Sequence, residues 1–283
     1  MRAFLCAALM AATAVAAEQQ PAPNPWASTY KPAASRPTVI RNATILTAAG
    51  PAIERGSLLL QNGKVVAVGQ DVTAPADAVV IDATGKWITP GIIDTHSHLG
   101  VYAAPGIESL QDGNEMTSPN TAEVWSEHSI WPQDPQFDLA LAGGVTTMHI
   151  LPGSANLFGG RSVTVKNVPA RTAEDMKFPG APYGLKMACG ENPKRVYGDK
   201  GQTPQTRMGN VAGYRKAWQA AVDYRDKWKK WRDTGSDPEK RPERNFQLET
   251  LAGVLDGEIR VQDHCYRADE MATMIAISKE LRA

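Results

Sequence analysis

The chain has 283 residues, 30 Lys and Arg balanced by 30 Asp and Glu, and 42% apolar residues. That balance argues against a nucleic-acid or anionic-membrane partner, and the length can bury a sizeable core. Only three cysteines are present, too few for a disulfide framework. In chain order, residues 1–17 read as a secretory signal. Arg2 supplies the charge, Phe4 to Val15 the apolar run, and Ala14-Val15-Ala16 or Val15-Ala16-Ala17 the small-residue cleavage site. The run is too short for a permanent membrane anchor, so no span is expected after cleavage, and a periplasmic or secreted location follows. Cys6 precedes most of that run and is too early for lipid attachment. Residues 18–37, rich in Pro, Ala and Ser, read as a flexible leader.

Short apolar strands follow in residues 39–47, 56–69 and 79–88, punctuated by Gly, with Asn62-Gly63 as a hairpin turn. After the Pro90-Gly91 turn, Ile92 and Ile93 predict a buried strand that runs into His96 and His98. Side chains alternate along a strand, so the two histidines share a face and can meet one metal ion, with Asp94 one step earlier in a supporting position.

From residue 38 onward, the order of these segments resembles the amidohydrolase superfamily, in particular its imidazolonepropionase-like members and related metal-dependent peptidases. The resemblance implies an α/β fold. A small β-sandwich portion over residues 38–89 would precede a partial (β/α)8 TIM-type barrel over residues 90–283. It also implies one or two divalent ions, zinc being the expected metal.

The remaining elements alternate helix and strand. A short helix at 137–142 leads to a strand at 143–151, followed by a glycine-rich loop at 152–162. His149 is open to two readings, a core histidine or a ligand. Residues 184–189 predict a second chemical strand, in which Lys186 is costly to bury charged. Resemblance to related peptidases implies a carboxylated Lys186 that bridges two ions, with Glu191 as the alternative ligand. The two have opposite parity on a regular strand, so both reach one site only if Gly190 breaks the pleat. Asn192, Lys194 and Arg195 follow at the loop mouth, where a cation could hold a substrate carboxylate.

Residues 208–233 predict a helix whose Tyr214, Trp218 and Val222 form a packing stripe. A helix at 248–255 and a strand at 259–264 come next. The resemblance maps a further metal ligand onto His264. Cys189 and Cys265 each sit in an apparent core strand and read as buried free thiols.

The stretch after Pro90 is shorter than the about 250 residues of a complete eight-stranded barrel, and only about five strands are legible. The chain therefore reads as a fragment. The family's general base is expected beyond Ala283, so the catalytic base is unknown and this chain alone is expected to be inactive. The implied activity is metal-dependent hydrolysis of C–N bonds in amides, peptides or cyclic amides. The implied substrate is a small molecule or dipeptide, and the full-length form could assemble with copies of itself. A lactonase acting on cyclic esters and a non-catalytic remnant are the alternatives.

Overall fold

A computed structural model describes residues 26–281. The expected signal sequence lies outside the described residues, and among these no helix is long and apolar enough to cross a membrane. The described part of the expected flexible leader is docked. Thr29 N–H donates to the Glu174 carbonyl at 3.0 Å, and the Ser28 hydroxyl donates to the Lys177 carbonyl at 2.6 Å. The Trp26 ring lies 4.5 Å from that of His128. Backbone and hydroxyl donors that a Pro-rich sequence leaves free are thus taken up by residues far along the chain.

Two sheets organise the molecule. The first contains β1 (Thr38–Ile45), β2 (Ile53–Gln61), β3 (Lys64–Gly69), β4 (Val79–Asp82) and β5 (Trp87–Ile88). Its order is β3-β2-β1-β4, with β5 also paired to β1. Asn62 and Gly63 both take positive φ, 53° and 71°, and reverse the chain between β2 and β3 as their sequence predicts. Val39, Leu59 and Val72 form one small apolar cluster and Ala43, Ile45 and Ala83 another. The described residues supply one such layer, and Val65, Val66, Val80 and Trp87 are exposed on it.

The second sheet is a half-barrel of β6 (Ile92–Ser97), β7 (Val145–Ile150), β8 (Phe158–Lys166), β9 (Gly184–Ala188) and β10 (Arg260–His264). They lie in the order β10-β9-β8-β7-β6. β6 and β7 are parallel, as are β9 and β10, but β8 runs antiparallel to both its neighbours. The glycine-rich segment is therefore a loop only up to Leu157, and its second half begins β8. A Cβ on Gly160 would stand 2.5 Å from the Val124 carbonyl oxygen, so the close approach of the 99–135 loop accounts for a glycine inside a strand.

Short α1 (Gln136–Ala142) and α2 (Ala173–Met176) pack beside β7 and β8. On the other flank, α4 (Arg207–Asp233), α5 (Phe246–Leu255) and α6 (Ala268–Glu280) cover β8 to β10, while α3 (Glu191–Gly198) leads out of β9. Tyr214 and Trp218 on α4 are buried and meet the Phe158 ring edge-on at 5.8 and 5.3 Å, so the predicted aromatic stripe is packing.

Ile92 and Ile93 depart from the sequence reading, at 53% and 66% exposed. β6 is an edge strand paired only with β7, so its apolar residues lack a second neighbour. Cys189 and Cys265 also depart from it: they are joined by a disulfide with a Cα–Cα separation of 5.1 Å. The parallel register that sets His264 opposite Ala188 brings the next residue of each strand together.

Candidate metal centre

The strand ends of β6, β9 and β10 carry the predicted donors. Lys186 is central in β9, whose five residues are all buried, and it is 0% exposed. Its Nζ lies 3.2 Å from His96 Nε2. Burial chiefly drives the amine down to about 8, partly opposed by Asp263. The carboxyl of Asp263 is itself raised to about 7 by desolvation, with Lys186 pulling the other way.

The His96 and His98 rings are 5.2 Å apart at their centroids. Nδ1 of His98 is 2.8 Å from the Leu151 carbonyl, a bond that needs a proton on Nδ1 and leaves Nε2 with its lone pair. Burial lowers the pKa of both histidines, and Lys186 adds to the effect. Both are thus held as neutral imidazoles, the form that binds metals. The Asp94 carboxylate accepts the His96 backbone N–H at 3.1 Å, so it fixes the strand end and does not touch an imidazole nitrogen.

His264 ends β10, with Nε2 3.5 Å from the Asn192 amide nitrogen and its ring edge-on to Tyr266 at 4.5 Å. Its pKa is lowered by burial and then by Lys186. Gly190, at φ 73°, turns the chain out of β9, and Glu191 becomes the exposed first residue of α3. The pleat does break at Gly190: Asn192 meets His264, and the exposed Glu191 still acts on His264, pulling its pKa upward. Lys194 and Arg195 follow on α3.

Among the described residues, His96, His98 and His264 do not close to a trio of donors on their own. Lys186 lies on β9, beside the edge strand that ends in His264, and its amine meets His96 at the opposite edge at 3.2 Å. With neutral imidazoles and a buried amine of lowered basicity, the residues fit a divalent ion and a carbamate bridge.

His149 takes the core reading. Nδ1 meets the Thr164 hydroxyl at 2.9 Å and Nε2 the Ser162 hydroxyl at 2.6 Å, while burial drives its pKa to about 4.

Sequence reasoning missed the long 99–135 loop. The Tyr102 ring packs edge-on against His98 at 5.7 Å, and its hydroxyl accepts from the Asn114 amide. The buried Asp134 carboxylate ties the loop to the frame by accepting from Gly100 N–H at 3.0 Å, Ala104 N–H at 3.3 Å and Gln136 N–H at 3.0 Å. A cavity of about 400 Å³ opens there, lined among others by Asn114, Trp125, His128, Pro152 and Gly159. A Cβ on Gly159, which lines this cavity, would stand 3.5 Å from Lys186 Cγ.

Half-barrel strands thus carry neutral histidines near a buried lysine within an α/β fold. No family model matches the chain. It is 37% identical to an amidohydrolase of known structure from Thermotoga maritima MSB8, with a TM-score of 0.81 over 86% of this chain and 62% of that one. It is 34% identical to amidohydrolase tasK of Hapsidospora irregularis, over 89% of this chain and 29% of the relative. It is also 34% identical over 118 residues to a 5-methylthioadenosine/S-adenosylhomocysteine deaminase of Bacillus cereus (strain AH820), covering 40% of this chain and 25% of that protein. The chain belongs to the amidohydrolase superfamily. It spans under a third of the length of these two curated relatives.

Proposed function

We propose that the protein is a metal-dependent hydrolase of C–N bonds, with His96, His98, Lys186 and His264 as its metal-holding residues. One observation carries the reading: a wholly buried Lys186 whose amine meets His96 Nε2 at 3.2 Å. A buried ammonium against two imidazoles is unfavourable. A neutral amine at that position can instead take up carbon dioxide, forming the N–C bond of a carbamate and releasing one proton. Divalent ions bound there, zinc first among them, would polarise a substrate carbonyl and activate water.

The chain's own residues supply the rest. The Leu151 carbonyl orients the His98 ring, the Asp94 carboxylate holds the backbone at His96, and Asn192 meets His264. The cavity beside Gly159 admits a small molecule, for which a dipeptide or N-acyl amino acid is the proposed class. Export to the periplasm or exterior belongs to the same reading, because peptide scavenging suits that location. N-terminal sequencing of exported protein should return a start near Ala17 or Glu18, and a Met1 start would refute export.

The test of function is metal analysis of the full-length enzyme, paired with a dipeptide, N-acyl amino acid and lactone library. K186A should lose metal and turnover, with partial rescue by a short carboxylic acid, while E191Q keeps its metal. Metal loss in E191Q alone would transfer the bridging role to Glu191. Turnover of lactones alone would replace the C–N assignment, and stoichiometric protein without metal or turnover would refute both.

A further inference from the structure

The two faces of β9 and β10 carry different chemistry. Lys186 pairs in register with Gln262, and Ala188 with His264, which places the lysine and the histidine on the half-barrel's inner face. Asp263 and Cys265 alternate with them and so share the outer face. Cys189 follows β9 directly opposite, its backbone N–H donating to the His264 carbonyl at 2.8 Å. On that outer face Cys189 Sγ, Cys265 Sγ and a carboxylate oxygen of Asp263 all lie within 4.8 Å of one another. No other His, Cys, Asp or Glu trio among the described residues is so close. Asp263 opens into a groove of about 520 Å³ between β10 and α6, which gives solutes access from the side away from the histidines.

We propose that Cys189, Cys265 and Asp263 form a second metal site, closed when the disulfide is intact and opened by its reduction. A small dithiol would break the S–S bond by passing two electrons and two protons to the cysteines, and would itself become a disulfide. A zinc-like divalent ion would then bind the two sulfurs as thiolates with release of two protons, and Asp263 would be the third donor. The separations suit this. Zinc–sulfur bonds of about 2.3 Å in a tetrahedron set neighbouring donors about 3.5–3.8 Å apart. Cys265 Sγ and Asp263 Oδ2 are already 3.7 Å apart. A Cα–Cα distance of 5.1 Å lets the two freed sulfurs settle at such a spacing without moving either strand. Glu270, the nearby acid, is already engaged: it binds Arg207 at 2.6 Å and accepts the Tyr266 and Arg267 N–H groups at the start of α6. Asp263 makes no side-chain ion pair among the described residues, though the His264 backbone and the Lys186 charge act on it. The site uses none of the four proposed metal-holding residues, although Asp263 and Cys265 flank His264 and Asp263 acts on Lys186.

The test uses the full chain and cobalt(II). After reduction by a dithiol and its anaerobic removal, the chain should bind about one equivalent with a thiolate-to-cobalt charge-transfer band. The oxidised chain and C189S/C265S should lack that band. D263N should weaken the thiolate-site affinity by about tenfold or more, as expected for loss of a donor. H96A/H98A should retain the band, which separates this site from the proposed hydrolytic one. Equal affinity in D263N, or a folded reduced chain with no band, would overturn the proposal. If reduction unfolds the chain, cobalt should restore its circular dichroism together with the band, and failure to do so would also overturn it. Zinc should in addition protect both cysteines from alkylation, and protection of neither would refute the site.

Discussion

The centre and the edges of the half-barrel sheet are built from similar residues but live in different surroundings. β9 is buried at all five positions, whereas β6 and β10 are exposed at most of theirs. The three histidines of the candidate centre stand on or beside the edge strands and the lysine stands in the middle. The lysine's environment is therefore set by packing on both sides, which accounts for its large drop in basicity. The histidines are placed by single bonds, such as that from His98 to Leu151 and that from Asn192 to His264. Metal binding would thus depend on the rigid centre for its charge state and on a few discrete contacts for its geometry.

The contrast can be broken in several places, beginning with the largest effect. Replacing His96 and His98 together by Ala in the full-length enzyme should take turnover to background and remove tightly bound metal, as followed by atomic absorption. Retention of stoichiometric metal would mean that the edge strand is not the binding element. Next comes the packed centre. Leu185→Ala in β9, where the residue is 0% exposed, should cost about 2–5 kcal/mol in denaturant unfolding.

His149 sharpens the comparison through pH. Its folded value near 4 lies below the ordinary 6.5, so protonation favours the unfolded chain. The stability it contributes is whole above pH 6.5 and is lost as pH falls toward 4, at most about 3 kcal/mol. H149Q should flatten that part of the stability–pH curve, and an unchanged slope would assign acid sensitivity elsewhere. The smallest effect belongs to the edge. Ile93→Ala, at 66% exposed, should change stability by less than about 0.5 kcal/mol, and a loss as large as that at Leu185 would mean β6 is covered in solution.

Local signals in the sequence translated well. Asn62-Gly63 predicted its hairpin, the aromatic spacing predicted α4, and the strand carrying Lys186 fell where its apolar neighbours put it. Long-range facts did not translate. The apolar pair Ile92-Ile93 carries no mark of whether its strand is central or at an edge. Gly160 reads as loop because the carbonyl of Val124 that excludes a side chain there comes from a distant segment. The Cys189–Cys265 bond depends on the mutual register of two strands, with 76 residues between the cysteines, which spacing alone cannot supply. At the candidate centre, His96 and His98 were named from strand parity, and Lys186 and His264 from the family resemblance. Their orienting partners Leu151, Tyr102 and Asn114 were not legible, because each reaches the site through tertiary contact.

The docked segment at Trp26–Tyr30 carries a consequence for biosynthesis. Its partners include the Lys177 ammonium, which bonds the Trp26 carbonyl at 2.5 Å across 151 positions of sequence. At about 5–20 residues per second, a ribosome needs roughly 7–30 s to deliver those partners after the strap has been made. Until then its donors stay with water. The first sheet, whose strands pair among themselves, can form during that interval, and the strap closes only once α2 has emerged.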